Sequence, residues 1–258
     1  MDGLESQRKK YSHLAKRFLR YAEKLAVRSS DILIADNLEI KKHIQNNYGV
    51  ASIFIPYGAD NCFTEKTEDK NEVKIFAADK KVERSFSKNS YYLMIARLQS
   101  DNHIEEIIRG FLSAAPPEPL IVVGDFKKRF GGKLYKKYGS GNGSFTGSIF
   151  QSDLLNHLRS NSKMYFHGHS VGGTNPSLLQ AMAASVPICA HDNPFNRSVL
   201  DKDAFYFKTQ SDISSVINQK KDITNQNMMI RNNLTKIKNH YRWDTIVRSY
   251  ETIIRNII

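Results

Sequence analysis

The sequence predicts an α/β protein built on one doubly wound, Rossmann-like parallel sheet, preceded by a smaller α/β unit. Two observations lead there. From Tyr91 onward, short apolar runs alternate with helical stretches of about ten residues, the order that a parallel sheet with crossover helices requires. Ahead of it, residues 31–55 carry a shorter strand–helix–strand series.

The elements follow in order. Residues Tyr11 to Arg28 form an amphipathic helix, with Leu14, Phe18, Ala22 and Leu25 on one face and Ala15, Leu19 and Ala26 beside them. Lys16, Arg20 and Lys24 make a basic stripe, with Lys9, Lys10, Arg17 and Arg28 nearby. That stripe is either the solvated back of a helix packed on a core, or a surface that rests on anionic lipid. Asp31 to Asp36 is too short and too isoleucine-rich for a helix and is expected as a strand. A polar helix at Leu38 to Asn47 and a strand at Ala51 to Ile55 come next, ended by the turn Pro56-Tyr57-Gly58. Residues 61–89 are charged and weakly periodic, as a linker region would be. The larger series then runs through strands Tyr91 to Ala96, Leu120 to Val123, Ser144 to Gly147, Lys163 to Phe166 and Pro187 to Ala190. Helices at Ile104 to Leu112, Ser152 to Leu158 and Pro176 to Ala184 separate them, with a Lys-rich segment after Gly124. Three helical stretches close the chain, the last from Trp243 to Ile257. Ligands of such sheets collect at the carboxyl ends of the strands, so the loops after Ala96, Val123, Gly147, Phe166 and Ala190 are the ones to inspect.

Composition narrows the partners. No apolar run approaches the ~18 residues of a membrane span, and the first segment is polar and basic with no apolar core of a signal peptide. Cys62 and Cys189 stand far apart in no metal-ligand spacing. These features point to the cytoplasm. The net charge of +12 calls for an acidic partner, whether nucleic acid, anionic lipid or a phosphorylated small molecule. No nucleic-acid recognition motif accompanies the charge, so nucleic acid is not expected.

The run His167-Gly168-His169-Ser170-Val171-Gly172-Gly173-Thr174-Asn175-Pro176-Ser177-Leu178-Leu179-Gln180 follows a strand and opens a helix. Asn175 suits the N-cap and Pro176 the first helical position. The glycines before them let backbone N–H groups approach a phosphate at the positive helix end, unless the run is simply a tight turn. Arg97 directly follows its strand, where an arginine can grip a diphosphate through two parallel N–H bonds or stand as an ordinary surface residue. His167, His169 and His191 sit at two strand ends as hydrogen-bonding or structural groups. With no carboxylate in the His-Gly-His run, no metal site is expected.

These strings resemble a GT-B retaining glycosyltransferase of glycosyltransferase family 4, and within it the bacterial rhamnosyltransferase branch. The similarity lies in Ala96-Arg97-Leu98, Val122-Val123-Gly124, Phe145-Thr146-Gly147, the stretch His167 to Ala183, and His191-Asp192-Asn193-Pro194-Phe195-Asn196-Arg197. The resemblance implies a two-domain nucleotide-sugar enzyme. Residues 1–60 would be a remnant of the N-terminal, acceptor-side domain, 61–89 a linker region, 90–240 the nucleotide-sugar-binding domain, and 241–258 a helix returning to the N-terminal domain. Arg97, Gly172, Gly173, Thr174 and Asn175 would hold the diphosphate, and Gly124, Thr146, Gly147, His167, His169 and Gln180 the nucleoside and sugar. No cofactor and no nucleotide-bound metal is implied.

Departures from the family pattern also carry expectations. The family's Glu-x7-Glu aligns with Gly172 and Gln180, and the lysine that often accompanies the diphosphate arginine aligns with Asn102. Asp2-Gly3-Leu4-Glu5-Ser6-Gln7-Arg8 resembles a segment deep inside the N-terminal domain, so part of that domain is expected to be missing. Asp2 then matches a residue that faces the transfer site and is the candidate catalytic group. The implied donor is dTDP-rhamnose and the implied acceptor a lipid-linked glycan of cell-surface polysaccharide synthesis, made at the inner membrane face. A donor-binding fragment without catalysis, or one half of a split enzyme, is the alternative.

Overall fold

The computed structural model describes residues 1–256 except 2, 9, 63–71, 77–82, 140–142 and 221. The N-terminal unit opens with α1 (His13–Ser29), whose first turn is capped by the Ser12 hydroxyl accepting from the Ala15 amide. Strand β1 (Ile34–Ala35), helix α2 (Leu38–Tyr48) and strand β2 (Ile53–Phe54) follow, the two strands pairing in parallel. Asn37 caps α2 through the Glu39 amide, and Gly49 ends it at φ 68°, a left-handed position that glycine adopts without strain. Ala35, Ile40 and Ile44 are fully buried and form a small core of their own. The backbone of Met1 lies along the other side of β1, accepting from the Asp36 amide.

Helix α1 corrects one expectation. Leu14, Phe18, Tyr21 and Leu25, spaced as one helical face, are exposed, Leu14 by 78% and Phe18 by 68%. The protein is met instead through Val27 and Glu23, whose carboxylate accepts from Tyr48 (2.8 Å) and lies 2.6 Å from the His43 ring on α2. Amphipathicity is legible in a sequence, but what covers the apolar face is not.

The expected linker also contains structure. Strands β3 (Glu72–Phe76) and β4 (Glu83–Ser87) form an antiparallel ribbon. Val73, Ile75 and Phe86 enter the core of the large domain, and Arg84 donates to Ser144 at 2.8 Å. The alternation of Val73 and Ile75 between charged neighbours was the period-2 signal.

The large domain continues with β5 (Tyr92–Ile95), α3 (Ile104–Ala114), β6 (Leu120–Val123), α4 (Arg129–Tyr138), β7 (Gly143–Gly147), α5 (Ser152–Asn161), β8 (Met164–His167), α6 (Pro176–Ala183), β9 (Ile188–His191), α7 (Pro194–Leu200) and β10 (Phe205–Phe207). The Lys-rich segment is thus α4, and β10 adds a strand that the sequence did not announce. Six strands run parallel in the order β10-β9-β8-β5-β6-β7. The chain starts in the middle and winds outward to one edge, then returns and winds to the other. Between β5 and β8 the direction reverses, and the loops after these two strands diverge to leave a crevice. Central strands are buried on both faces, which is why β5, β6 and β8 read as continuous apolar runs.

Helices α8 (Gln210–Asn218), α9 (Ile223–His240) and α10 (Trp243–Arg255) finish the chain. Trp243 packs against Gly58, and its amide donates to Asp60 at 2.9 Å, so α10 begins where the N-terminal unit ends. Trp243, Val247, Tyr250 and Ile254 form a second exposed apolar stripe. Among the described residues no helix is long and apolar enough to cross a membrane.

Helix α8 seats on α3 at Gly110, where a Cβ would lie 2.6 Å from the Gln210 carbonyl and 2.7 Å from the Ile213 Cβ. Alanine gains about 1 kcal/mol of helix propensity over glycine, whereas overpacking costs about 1–3 kcal/mol. Gly110→Ala should therefore lower stability in urea denaturation; a variant more stable than the parent would mean that α8 is loosely held.

Candidate functional site

The crevice between β5 and β8 opens into a cavity of about 970 Å³, at the upper end of the range of small-molecule and cofactor sites. Arg97, Gly124, Lys128, His169, the Gly172–Asn175 turn and Gln180 line it from the large domain. Glu5, Arg8 and Asp36 line it from the N-terminal unit.

Arg97 is exposed on the rim just after β5, and among the described residues no carboxylate pairs with it. Asn102 turns inward and donates to the Arg97 carbonyl at 2.8 Å. It therefore braces the turn that presents the arginine. The loop after β8 leans on the same segment, because Ser170 donates to the Asp101 carbonyl at 2.9 Å and Gly168 packs on the Asn102 carbonyl. The two walls of the crevice are thus fixed to each other at their base.

The Gly172–Asn175 turn is built around a residue that the sequence reading passed over. Asp36, at the end of β1, is 6% exposed, and its carboxylate accepts from the Thr174 amide at 3.1 Å. Its carbonyl accepts from the Thr174 hydroxyl at 2.5 Å. A Cβ on Gly173 would collide with the Asp36 carboxylate, so this glycine is small to admit a side chain of the other unit. Gly172 has φ 147° and open space around it, which makes it the permissive residue of the pair. Asn175 caps α6 by accepting from the Ser177 amide at 2.9 Å. Thr174 and Asn175 therefore hold the turn together, and Gly172 with Gly173 leaves backbone facing the cavity. Asn37 adds to the seam, donating to Thr174 and to the Phe195 carbonyl at 3.3 and 3.4 Å.

The histidines stack in pairs, His167 on His169 at 4.5 Å and His103 on His191 at 4.0 Å between ring centroids. His167 is 1% exposed, and neither ring nitrogen has a hydrogen-bond partner among the described residues. Burial, then the neighbouring His169 and His191, holds it well below its ordinary pKa and hence neutral. It lies beneath the site and does not line it. His169 does line it, and burial, with Arg8 and Arg97 nearby, brings its pKa down to about 4. A neutral imidazole there is a hydrogen-bonding group and not a further cation. Asn193 and Asn196 fix this layer by donating to the His169 carbonyl at 3.1 and 3.0 Å.

Gly124 lines the cavity and is tied to the Gly147 carbonyl at 3.0 Å. Thr146 is buried, with its hydroxyl on the Gly147 carbonyl at 3.1 Å, so Thr146 and Gly147 (φ 79°) shape the sheet end from below. Gln180 accepts from the buried Arg159 at 2.6 Å. Burial lowers the Arg159 pKa, and its guanidinium also donates to Asn156. Asp2, the candidate catalytic residue, lies outside the described residues. The sequence did contain a hint of Asp36-Asn37, a strand end followed by an N-cap, whereas nothing in it marked Arg159 as buried.

A doubly wound domain with a cationic crevice at its switch point, closed on one side by a smaller α/β unit, is the class of protein that this geometry defines. Residues 76–237 match the family described as "Glycosyl transferases group 1", and residues 1–60 match one described as "Domain of unknown function (DUF1972)". The chain belongs to the group 1 glycosyltransferases, and its architecture is of the GT-B type. No curated protein matches it. Among solved structures it is similar to Anabaena HepE in complex with UDP-glucose, at 15% identity and TM-score 0.75 over 96% of this chain and 70% of that one. It is similar also to sucrose-phosphate synthase from Thermosynechococcus elongatus, at 16% identity and TM-score 0.75 over 98% and 65%. A glycosyltransferase from Rickettsia africae shares 13% identity and TM-score 0.70 over 93% and 67%. The chain thus spans about two thirds of the length of these relatives, and the likeness is one of fold.

If the Asp36 carboxylate is what excludes a side chain at position 173, Gly173→Ala should cost about 1–3 kcal/mol of stability. Asp36→Ala should shrink that cost, a coupling readable by a double-mutant cycle. Strictly additive losses would remove Asp36 from this role.

Proposed function

We propose that the chain is the nucleotide-sugar-binding part of a glycosyltransferase that draws on a nucleoside-diphosphate sugar. The observation that carries this is that Arg97, after β5, and the Gly172–Gly173 backbone, after β8, line the same crevice. A cation and exposed backbone dipoles on opposite walls stabilise a diphosphate most when it departs, because its charge grows as the glycosidic bond to it breaks. The neutral His169 offers a hydrogen bond to a sugar or phosphate oxygen. That HepE was solved with UDP-glucose supports the donor class.

The finer reading is rhamnosyl transfer from dTDP-rhamnose to a lipid-linked glycan in cell-surface polysaccharide synthesis, within glycosyltransferase family 4. It rests on the resemblance of the His167 to Ala183 stretch to the rhamnosyltransferase branch. The acceptor would approach from the side of Glu5 and Arg8. The exposed stripe of α1 is bordered by Arg17, Lys24 and Arg28, the pattern of a helix that rests on an anionic membrane.

A second reading is favoured by the exposed stripes on α1 and α10: the chain holds donor but needs further polypeptide, a separate N-terminal half, to transfer sugar. Transfer requires donor and acceptor in near-attack geometry, worth about 7–11 kcal/mol of the barrier. Without the acceptor side fixed, binding survives and turnover does not.

Titration with nucleoside diphosphates and their sugars is expected to raise the melting temperature, by about 2.7 kcal/mol of stabilisation at a hundredfold excess over Kd. dTDP compounds should lead the panel, and no shift with any of them at millimolar concentration would overturn the donor site. Robust rhamnose transfer by the 258-residue chain alone would reject the second reading. Anionic vesicles should retain the chain and lose it on reversing Arg17, Lys24 and Arg28 to Glu; indifference to vesicles would leave the α1 stripe to polypeptide.

A further inference from the structure

We propose that Arg8, carried by the N-terminal unit, is the second cation of the phosphate site and closes on a diphosphate from the wall opposite the β5 rim. The proposal rests on the donor-site reading for the identity of the ligand, but not for the existence of an anion site.

Three observations place Arg8 there. It lines the same cavity as Arg97, with a side chain only 19% exposed. Its Nε donates to Glu5 Oε1 at 2.5 Å, and Glu5 in turn accepts from the Tyr11 hydroxyl at 3.1 Å. This fixes the plane of the guanidinium and, among the described residues, uses one of its five donors. Finally, Gly3 is wedged between Arg8 and the glycine turn. A Cβ built on Gly3 would lie 4.0 Å from Arg8 Nη2 and 3.4 Å from the Gly172 Cα. Gly3 is thus the residue that separates the guanidinium end from the Gly172 backbone.

The charges around the cavity show why a second arginine has work there. Arg8, Arg97, Lys128 and Arg159 line it, against Glu5, Asp36 and Asp125. Glu5 is engaged by Arg8, with Lys10 3.9 Å from its other oxygen, Asp36 by Thr174, and Asp125 by the Lys127 amide. Four cations against three carboxylates leave the crevice with a small positive excess, and Arg97 lacks a carboxylate partner among the described residues. Both Arg8 and Arg97 lie close enough to His169 to disfavour its protonation. Two guanidinium groups lining one cavity repel each other, and a bound dianion offsets that repulsion, which makes the pair a site for phosphate in preference to a single carboxylate. Asn102, committed to the Arg97 carbonyl, does not supply the second charge. Since Arg8 belongs to one unit and Arg97 to the other, the anion would also link the two.

A diphosphate can come from the nucleotide donor or from a lipid-linked acceptor, and calorimetry with separate probes distinguishes them. The probes are a nucleoside diphosphate, the matching nucleoside, inorganic pyrophosphate, and a polyprenyl diphosphate in neutral detergent micelles. Arg8→Gln should weaken diphosphate binding by about tenfold, leave the nucleoside unchanged, and be partly reversed in Arg8→Lys, with circular dichroism confirming folding. Loss confined to the nucleotide gives the anion to the donor, and loss confined to the polyprenyl probe gives it to the acceptor. Wild type that binds pyrophosphate but no nucleoside diphosphate would keep the arginine pair and end the donor reading. If Arg8→Gln binds every phosphate probe as tightly as wild type while Arg97→Gln does not, or if wild type binds none of them, the proposal is wrong.

Discussion

Asp36 reaches from the end of β1 to the turn before α6, where its carboxylate meets the Thr174 amide at 3.1 Å and occupies the space left by the missing side chain of Gly173. Much of the site depends on this contact. It sets how the small unit meets the sheet, and so where Glu5 and Arg8 stand relative to Arg97. It also fixes the backbone of the glycine turn without any ligand. A buried carboxylate is costly unless hydrogen-bonded, and at Asp36 the amide of Thr174, the residue before the α6 N-cap, provides the partner. An anion is thus resident at Thr174, just ahead of the α6 N-cap, while Gly172, two residues earlier, stays open to the cavity.

The electrostatic plan of the crevice follows from that division. Acidic groups on its lining are engaged by protein partners, and burial keeps the histidines neutral, bringing His169 on the lining down to about 4 and holding His167 beneath it well below its ordinary value. Arginines supply the charge. Because guanidinium groups stay charged at any physiological pH, the site is positive whether or not ligand is bound. Neutral imidazoles next to fixed cations let the site discriminate by hydrogen bonding without adding to the repulsion that the arginines already create.

How much of this the sequence disclosed depends on the range of the interaction. Strands β5, β6 and β8 were legible because burial on both faces leaves an unbroken apolar run, and Asn175-Pro176 was legible because capping is local. The ribbon of β3 and β4 was hidden by its charged residues, although Val73 and Ile75 alternate. Gly173 was recognised as a position that needs to be small, but for approach by a ligand; its nearest neighbour is a carboxylate 137 positions earlier, which no local pattern can reveal. Arg8 and Arg159 were likewise unmarked, since an arginine in a basic chain says nothing about burial. The apolar stripe of α1 was read correctly as a stripe, yet its exposure depends on what the helix meets.

A diphosphate lying between Arg97 and the Gly172 turn, with Asp36 holding that turn in place, is the arrangement on which donor binding depends. A crystal structure of the chain with a bound nucleoside diphosphate tests this most directly. It should show phosphate oxygens within hydrogen-bonding distance of the Arg97 guanidinium and the Gly172–Gly173 backbone, with the Asp36–Thr174 contact intact. A nucleotide seated away from the crevice, or one whose phosphates displace Asp36 from the Thr174 amide, would contradict it.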